Sequence, residues 1–464
     1  MDDRTVLPSW RDLGTAGRPE DAPVVVHRYR LGLETALSIR SLDGAWWCVP
    51  ERAVGGSVGT EEWIEAGEGD GAAQAFVDLL GYADLPAVPG FRVVRLSPPP
   101  EAAGERGVEG WAGVDLGLHS SVVVGERVVV AWTRRVLDAP HPGALTIQHL
   151  AALEFMGVPD VHGLLLWTTP GGQEVPVAVA TRYLPRSRDG LAWAGELVDV
   201  AAGLTSAPTP VGTPPAGIDV SAHELPTRLG RLVAKLHVAL ATPSEVDPAP
   251  AGPAAAEAVL AWHAEMRADV DALSAVLLGP RSADAADAAD AAGVAGVDPG
   301  ELAEMTAAVD ALEGLAHDVR AGRAQVMVQR VHGDLHVGRV LRWTRGLAVV
   351  GFDAQRSFAP LTTDGRPDSR QPAARDLARL LTSLGEVAQS AAARPDMPPG
   401  VPAGWYAQAR EQVAAAYRTE LAAEQRRELL DERLLAAFAA AERARAVLTW
   451  LAPATAAPQA SATR

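Results

Sequence analysis

The segment Gln329-Arg330-Val331-His332-Gly333-Asp334-Leu335-His336-Val337-Gly338-Arg339-Val340-Leu341, followed by Val350-Gly351-Phe352-Asp353, decides how this chain is read. One β-like run, Gln325 to Val331, leads into it, and a second, Leu347 to Phe352, ends on Asp353. Two carboxylates near the ends of short strands, with a histidine two residues before the first, make an arrangement suited to phosphoryl transfer. One Asp accepts the proton of an attacking hydroxyl, and the other holds a Mg²⁺ ion that bridges nucleotide phosphates. Magnesium takes oxygen ligands and few of them from protein. Asp334 is therefore the candidate catalytic base and Asp353 the candidate metal ligand. The structural alternative, a turn-capping Asp334 and a strand-ending Asp353, would suffice for a bare H-x-D. It accounts less well for H-G-D-L-H followed at this spacing by an apolar run ending in F-D.

Outward from this segment the pattern divides. Residues 1–95 mix short β-like runs, such as Val24 to Tyr29 and Ala45 to Val49, with Gly and Pro turn signals. Between about 108 and 195 the chain stays strand-rich: Ser121 to Val124, Arg127 to Trp132, Leu164 to Thr168 and Val175 to Tyr183. One helix-like stretch, Ala144 to Phe155, interrupts these strands, which fits an α+β lobe better than a βαβ repeat. From about 219 helical periodicity takes over, as in Leu225, Leu229, Leu232, Val233, Leu236 and Leu240. Further helices are expected at 256–277, 299–320, 373–393, 404–426 and 428–450. The tract SADAADAADAAG, 282–293, reads as an exposed insertion or frayed helix, and the Ala/Pro/Thr/Ser tail after Pro453 as disordered. The expected organisation is an N-terminal cap at 1–100, a strand-rich nucleotide-binding subdomain at 101–195, a helical lobe with the catalytic loop and substrate site at 196–452, and a tail at 453–464.

Composition narrows the function classes. The 464 residues are 48% apolar and 21% charged, enough for a large core in two or three domains. Lys+Arg 41 against Asp+Glu 58 leaves a formal charge of −17, which argues against nucleic acid as a partner. Cys48 is the one cysteine, so no intrachain disulfide is expected, as suits a reducing cytoplasm. The start MDDRTVLPSW lacks the features of a signal peptide, and no apolar run approaches membrane-spanning length. No obligate protein partner is evident. Lys235 is the single lysine, so a mechanism that needs a lysine has one candidate.

HGDLH…GFD resembles the catalytic segment of the aminoglycoside-phosphotransferase-like kinases, in an order of motifs closest to the maltokinase-like branch. Val128 to Val136 with Pro142 to Leu153 echoes that family's strand, Arg-Arg, Pro turn and helix. Ala180-Thr181-Arg182-Tyr183-Leu184 resembles its hinge, and Asp189-Gly190-Leu191-Ala192-Trp193 the turn that follows. Leu229 to His237 is similar to its L-G-x-x-x-A-x-L-H helix, and Pro372 to Leu381 to its P-x-x-R-D-x-A-x-L-L, with Asp376 expected as a helix N-cap. The match spans most of 125–450, and within the group the chain is most similar to actinobacterial glucosamine kinases. The resemblance implies a bilobal eukaryotic-like-kinase fold, ATP and Mg²⁺ as cofactors, and glucosamine as the sugar phosphorylated at its 6-hydroxyl. The same apparatus in this family also serves maltose or an aminoglycoside.

Two departures stand out. Where the family carries an ATP-contacting lysine, this chain has Ala131 and Trp132, and the helix glutamate that pairs with it falls near Gln148. Lys235 lies in a predicted helix of the large lobe. The phosphates then fall to arginines such as Arg134 or Arg135, whose planar fork suits them, or to the metal. The missing lysine also motivates an alternative, a non-catalytic pseudokinase. Arg182, Ala180 and Tyr183 complete the implied nucleotide contacts. Second, the family places a metal-binding Asn or Gln five residues after the base, where this chain has Arg339, which has no lone pair to give. Metal binding then rests on Asp353 with water and with His336 or Gln355, unless His336 merely packs.

A sugar site needs hydrogen-bonding groups, and an amino sugar also needs acids. Gln329 and His332 lie just upstream of the base. Asp431, Phe438, Glu442 and Arg445 recur at i, i+7, i+11 and i+14, and eleven residues at ~100° each return to within about 20° of the start, so they share a helix face. In maltokinase-like enzymes the last helices supply acidic sugar contacts, which the resemblance transfers to Glu442 and Asp431. The alternative is a salt-bridged stripe, with Glu432, Arg433 and Arg443 close by. His237 and His149 read as packed or surface residues.

Overall fold

A computed structural model describes residues 24–42, 45–55, 61–67, 69–82, 85, 87–102, 104–107, 119–136, 138, 141–205, 224–278, 297–352 and 370–451. Asp353, Gln355, the Ala/Asp tract and the C-terminal tail lie outside the described residues.

The N-terminal half is built on two antiparallel sheets. The first runs in the order β1(Val24–Arg30), β2(Thr35–Leu42), β3(Ala45–Val54), β4(Glu62–Glu65). The second has the order β5(Phe91–Arg95), β10(Val161–Thr168), β11(Glu174–Arg182), β8(Val128–Thr133), β7(His119–Val124), β6(Glu105–Gly107). The short β9(Arg135–Val136) follows β8 and pairs with β3 of the first sheet. The β5 strand, from the segment expected to be a cap, pairs with β10, so the second sheet draws strands from both sides of residue 100. Alternation sets β8, where Val128, Val130 and Trp132 join one core with Tyr29, Leu37 and Ile39 of the first sheet, while β11, buried along Val175–Ala180, adds Val177, Ala178 and Ala180 to it. Helix α1(Ala72–Gly81) packs Phe76 and Leu80 into that core. The sequence pattern does not reveal it, because it is short and follows the Gly-rich stretch 67–71.

The C-terminal half is helical: α3(Gly190–Ala201), α4(Leu225–Leu240), α5(Ala256–Leu278), α6(Pro299–Arg320), α7(Ala373–Ala392), α8(Val401–Ala423) and α9(Glu432–Leu451). Helix α2(Gly143–Ala152) belongs to the strand-rich half in sequence. The periodic stretches at 225–240, 256–277 and 299–320 are helices with nearly the expected bounds. In α7 Leu377, Leu380, Leu381 and Leu384 are buried, each worth roughly 1.5–3 kcal/mol. Two small two-stranded antiparallel sheets, β12(Ala251–Pro253) with β13(Met327–Gln329) and the hairpin β14(Val340–Trp343) with β15(Gly346–Val349), bracket the H-G-D segment.

Helix α3 is the junction between the halves and was not foreseen as a helix. Asp189 caps it, its carboxylate accepting the Ala192 N–H at 2.9 Å. Gly190 lies so close to the catalytic loop that a Cβ there would fall onto the Val337 carbonyl. Trp193 is buried and donates its indole N–H to the Val340 carbonyl at 3.1 Å.

Candidate active site

Strand β13 delivers the chain into a turn that β14 and β15 hold from the other side. Gly333 takes φ +83°, a left-handed conformation natural to glycine, and Asp334 follows it. The turn is fixed from beneath by α7. The Asp376 carboxylate accepts the backbone N–H groups of His332 at 2.6 Å and Gly333 at 2.9 Å. His237 Nε2 lies 3.2 Å from the same carboxylate, and its Nδ1 2.6 Å from the Tyr417 hydroxyl. Burial pushes the Asp376 carboxyl up, but the His237 hydrogen bond and the loop amides outweigh it and hold the group below the usual range. Asp376 is thus not the N-cap expected from sequence: Pro372 holds that position, and Asp376 lies in the first turn with its carboxylate given to the loop.

His332 is fully buried, tilted against Phe352 with ring centroids 4.5 Å apart. Its Nε2 donates to the Val350 carbonyl at 3.0 Å and its Nδ1 accepts the Asp334 N–H at 3.3 Å, which fixes a neutral ring. Burial lowers its pKa. Gln329 is also buried, donating to the His237 carbonyl at 2.9 Å. Both residues therefore support the loop from inside and do not face the substrate side.

The Asp334 side chain is 26% exposed. Arg339 Nη2 donates to its Oδ2 at 3.1 Å, and His336 Nε2 lies 3.8 Å away. Burial raises the Asp334 carboxyl, but the Arg339 guanidinium leads the groups that reverse this, and the carboxyl sits below its ordinary value. His336 is mostly buried and pushed down to about 3 by desolvation, so it offers a lone pair at neutral pH. Among the described residues no three His, Cys, Asp or Glu side chains converge as a metal cage. The donors at hand are one carboxylate and one imidazole beside a fixed cation, a set that fits Mg²⁺ only when a further carboxylate joins it.

Asp334 opens onto a cavity of about 870 Å³ lined by the catalytic loop, α7 and α9. Arg379, Glu386, Glu442 and Arg445 stand on its walls. Glu442 Oε1 is 2.7 Å from Arg445 Nη2, and its Oε2 is 3.9 Å from Arg379 Nε. Arg379 also pairs with Glu386 at 2.7 Å. Burial lowers the Arg379 pKa, but Glu386, then Glu442 and Asp334, more than restore it. Asp334 and Glu442 are therefore joined electrostatically through Arg379.

The remaining expected site residues lie elsewhere. Asp431 precedes α9, and its carboxylate accepts the Arg433 N–H at 2.9 Å and binds the Arg433 guanidinium at 2.7 Å. It is absent from the cavity wall because it caps the start of α9, about 16 Å along the axis from Glu442. Of the four sugar contacts expected, Glu442 alone lines the cavity. Ala180 is buried in β11, opposite Val130. The Arg182 and Tyr183 N–H groups donate to the Asp160 and Arg127 carbonyls at 2.8 and 2.7 Å, and the Arg182 side chain pairs with Asp160. The Arg134 carbonyl accepts the Cys48 N–H at 3.0 Å, tying it to β3. Lys235 lies on α4, paired with Glu420 at 3.5 Å, and Gln148 turns back to bond the Ala144 carbonyl of its own helix at 2.9 Å. His149 is buried against the Ser244 hydroxyl, 2.7 Å away. Sequence reasoning did not single out Arg379 and Glu386, which line the cavity seven residues apart on one face of α7.

No helix among the described residues is long and apolar enough to cross a membrane. No protein-family model matches the chain. Curated relatives do. The glucosamine kinase of Streptacidiphilus jiangxiensis is 31% identical over 416 residues, 88% of this chain and 83% of that protein. The glucosamine kinase of Mycolicibacterium smegmatis is 31% identical over 360 residues, 77% and 78%. Among solved structures, a glucosamine kinase in complex with glucosamine, ADP and inorganic phosphate superposes with a TM-score of 0.67 at 28% identity, covering 96% of this chain and 97% of that one. Another crystal form of glucosamine kinase gives the same score over 96% and 95%. The expected fold, a strand-rich nucleotide-side half followed by a helical half, is the one these structures share. By sequence and by fold, the chain belongs to the glucosamine kinase family.

Proposed function

We propose that this protein transfers the γ-phosphoryl group of ATP to the 6-hydroxyl of glucosamine. The observation that carries the reading is the Asp334 carboxylate, ionised at neutral pH and facing a cavity whose opposite wall holds Glu442. The relatives named glucosamine kinase, and the solved complex with glucosamine, ADP and inorganic phosphate, support the choice of substrates.

In this reading Asp334 accepts a hydrogen bond from the sugar hydroxyl and aims its oxygen at the γ-phosphorus. The new bond is O6–P, the broken one joins the γ-phosphorus to the β–γ bridging oxygen, and the hydroxyl proton passes toward the Asp334 carboxylate. Glu442 receives the sugar ammonium, with Arg379 and Arg445 fixing its orientation. Arg134, Ala180, Arg182 and Tyr183 mark the nucleotide side. Asp353 with His336 would hold Mg²⁺, which when bound neutralises charge on the phosphate oxygens. Arg339 holds the base in its ionised form.

The test is an acceptor screen with ATP and Mg²⁺ against glucosamine, glucose, maltose and kanamycin, run beside Asp334→Ala. Glucosamine is expected to be the preferred acceptor, and the variant to lose ~10²–10⁴-fold in turnover. Near-native turnover by Asp334→Ala removes the residue from the mechanism.

A further inference from the structure

Behind the cavity wall stands a layer of acids that the lining does not include. Glu265 and Asp269 lie one turn apart on one face of α5, a helix outside the cavity lining among the described residues. Both face arginines that do line it. Glu265 Oε1 binds the Arg375 guanidinium and lies 3.6 Å from Arg445 Nη1, and Asp269 Oδ2 lies 3.6 Å from the same Nη1. The other terminal nitrogen of Arg445, Nη2, is the one that binds Glu442 at 2.7 Å. One guanidinium is therefore shared between the cavity acid and two acids behind it.

Sharing changes what Glu442 can offer a cation. A guanidinium held by a single carboxylate makes a neutral pair, which attracts an ammonium weakly. Together with Arg379 and Glu386 this network holds four carboxylates and three guanidinium groups, so one negative charge is left over. Arg445 is the one ion-pair partner of Asp269 among the described residues, and Asp269 Oδ2 is buried without a hydrogen bond. Burial raises the Asp269 carboxyl, Arg445 opposes the rise, and Glu265 and Glu442 add to it. A carboxyl raised by folding opposes stability once ionised, so the native state keeps this charge at a cost. The Coulomb interaction is mutual, so the charge on Asp269 acts on Glu442 as that of Glu442 acts on Asp269.

We infer that Asp269 is a specificity-determining positioning residue: it draws on the Arg445 charge from behind, so that Glu442 faces the cavity with a net negative potential that selects an amino sugar over a neutral one. The inference deepens the proposed function and rests on the role given there to Glu442.

The test measures calorimetric affinities for glucosamine and glucose, with ADP present, in the full chain, in Asp269→Asn, Asp269→Glu and Glu442→Gln, and in the double variant carrying Asp269→Asn and Glu442→Gln. Asp269→Asn keeps the shape and removes the charge. It is expected to weaken glucosamine about fivefold and glucose less than about twofold, at a melting temperature no lower than the parent's. Asp269→Glu, which restores the charge, is expected to recover most of the loss. In the Glu442→Gln background Asp269→Asn should no longer discriminate between the sugars, since effects routed through one group are not additive. Equal losses for both sugars, or an undiminished effect of Asp269→Asn once Glu442 is gone, overturn the inference. Selective loss in Glu442→Gln but not in Asp269→Asn overturns it too and leaves the role of Glu442 standing, whereas no selective loss in Glu442→Gln removes both.

Discussion

The Asp376 carboxylate accepts the His332 amide at 2.6 Å, two residues before Asp334 and across a sequence separation of 44. One helix side chain thereby sets the position of the loop that carries Asp334, the proposed base. Because Asp376 is fully buried and meets only donors, Asp376→Asn places an amide N–H against the loop amides. We expect a loss of roughly 2–4 kcal/mol in chemical denaturation, together with a kcat reduced at least about tenfold. A variant as stable and as active as the parent would mean that β13 and β14 hold the loop unaided.

Arg339 contacts Asp334 and holds its carboxyl low. Replacing it with Gln removes the leading group that opposes burial, and burial raises a carboxyl pKa. The acidic limb of the kcat/KM profile should move to higher pH in Arg339→Gln. Stability should change by less than about 1 kcal/mol, since both partners are part-exposed. An unmoved acidic limb would assign that limb to a group other than Asp334.

Glu442 is the acid that α9 contributes to the cavity wall. Glu442→Gln keeps the shape and removes the charge, so it should weaken glucosamine binding ~10- to 100-fold through KM, with a smaller effect on kcat. Glucose, which lacks the ammonium, should lose little. Equal losses for both sugars would show that Glu442 acts on the fold through Arg379 and Arg445.

Acid sensitivity should come from histidines. Burial is the leading cause that lowers the pKa of His149, His162 and His332 in the native chain. Unfolded, each titrates near ~6.5, so below that pH the unfolded chain binds protons that the folded chain does not, and stability falls as pH drops. Asp376 has the opposite origin but acts lower. Its depressed carboxyl contributes fully above ~3.9 and is lost only beneath that. Melting temperatures between pH 8 and 5 should therefore decline from about 6.5 downward, and a flat profile would contradict the neutral assignment of the three rings.

The catalytic segment was legible because its chemistry is contiguous: H-G-D-L-H needs no tertiary partner to be recognised. The long helices were legible from the spacing of their leucines. Asp376 was misread because its motif gives a plausible capping position, whereas its partners lie more than forty residues upstream and become visible only once α7 packs under the loop. Asp431 failed for a local reason. A helical wheel gives direction but no distance: eleven residues set Asp431 about 16 Å along the axis from Glu442, and Arg433 holds its carboxylate. Glu442 lies well inside the helix, where the wheel applies.

Gly190 and Trp193 bind the start of α3 to Val337 and Val340, on the stretch that also bears the base. The strand-rich half runs into α3 through the segment after β11, so α3 ties that half to the loop at Val337 and Val340. A bulkier residue at 190 would collide with the Val337 carbonyl and press α3 away from the segment that carries Asp334.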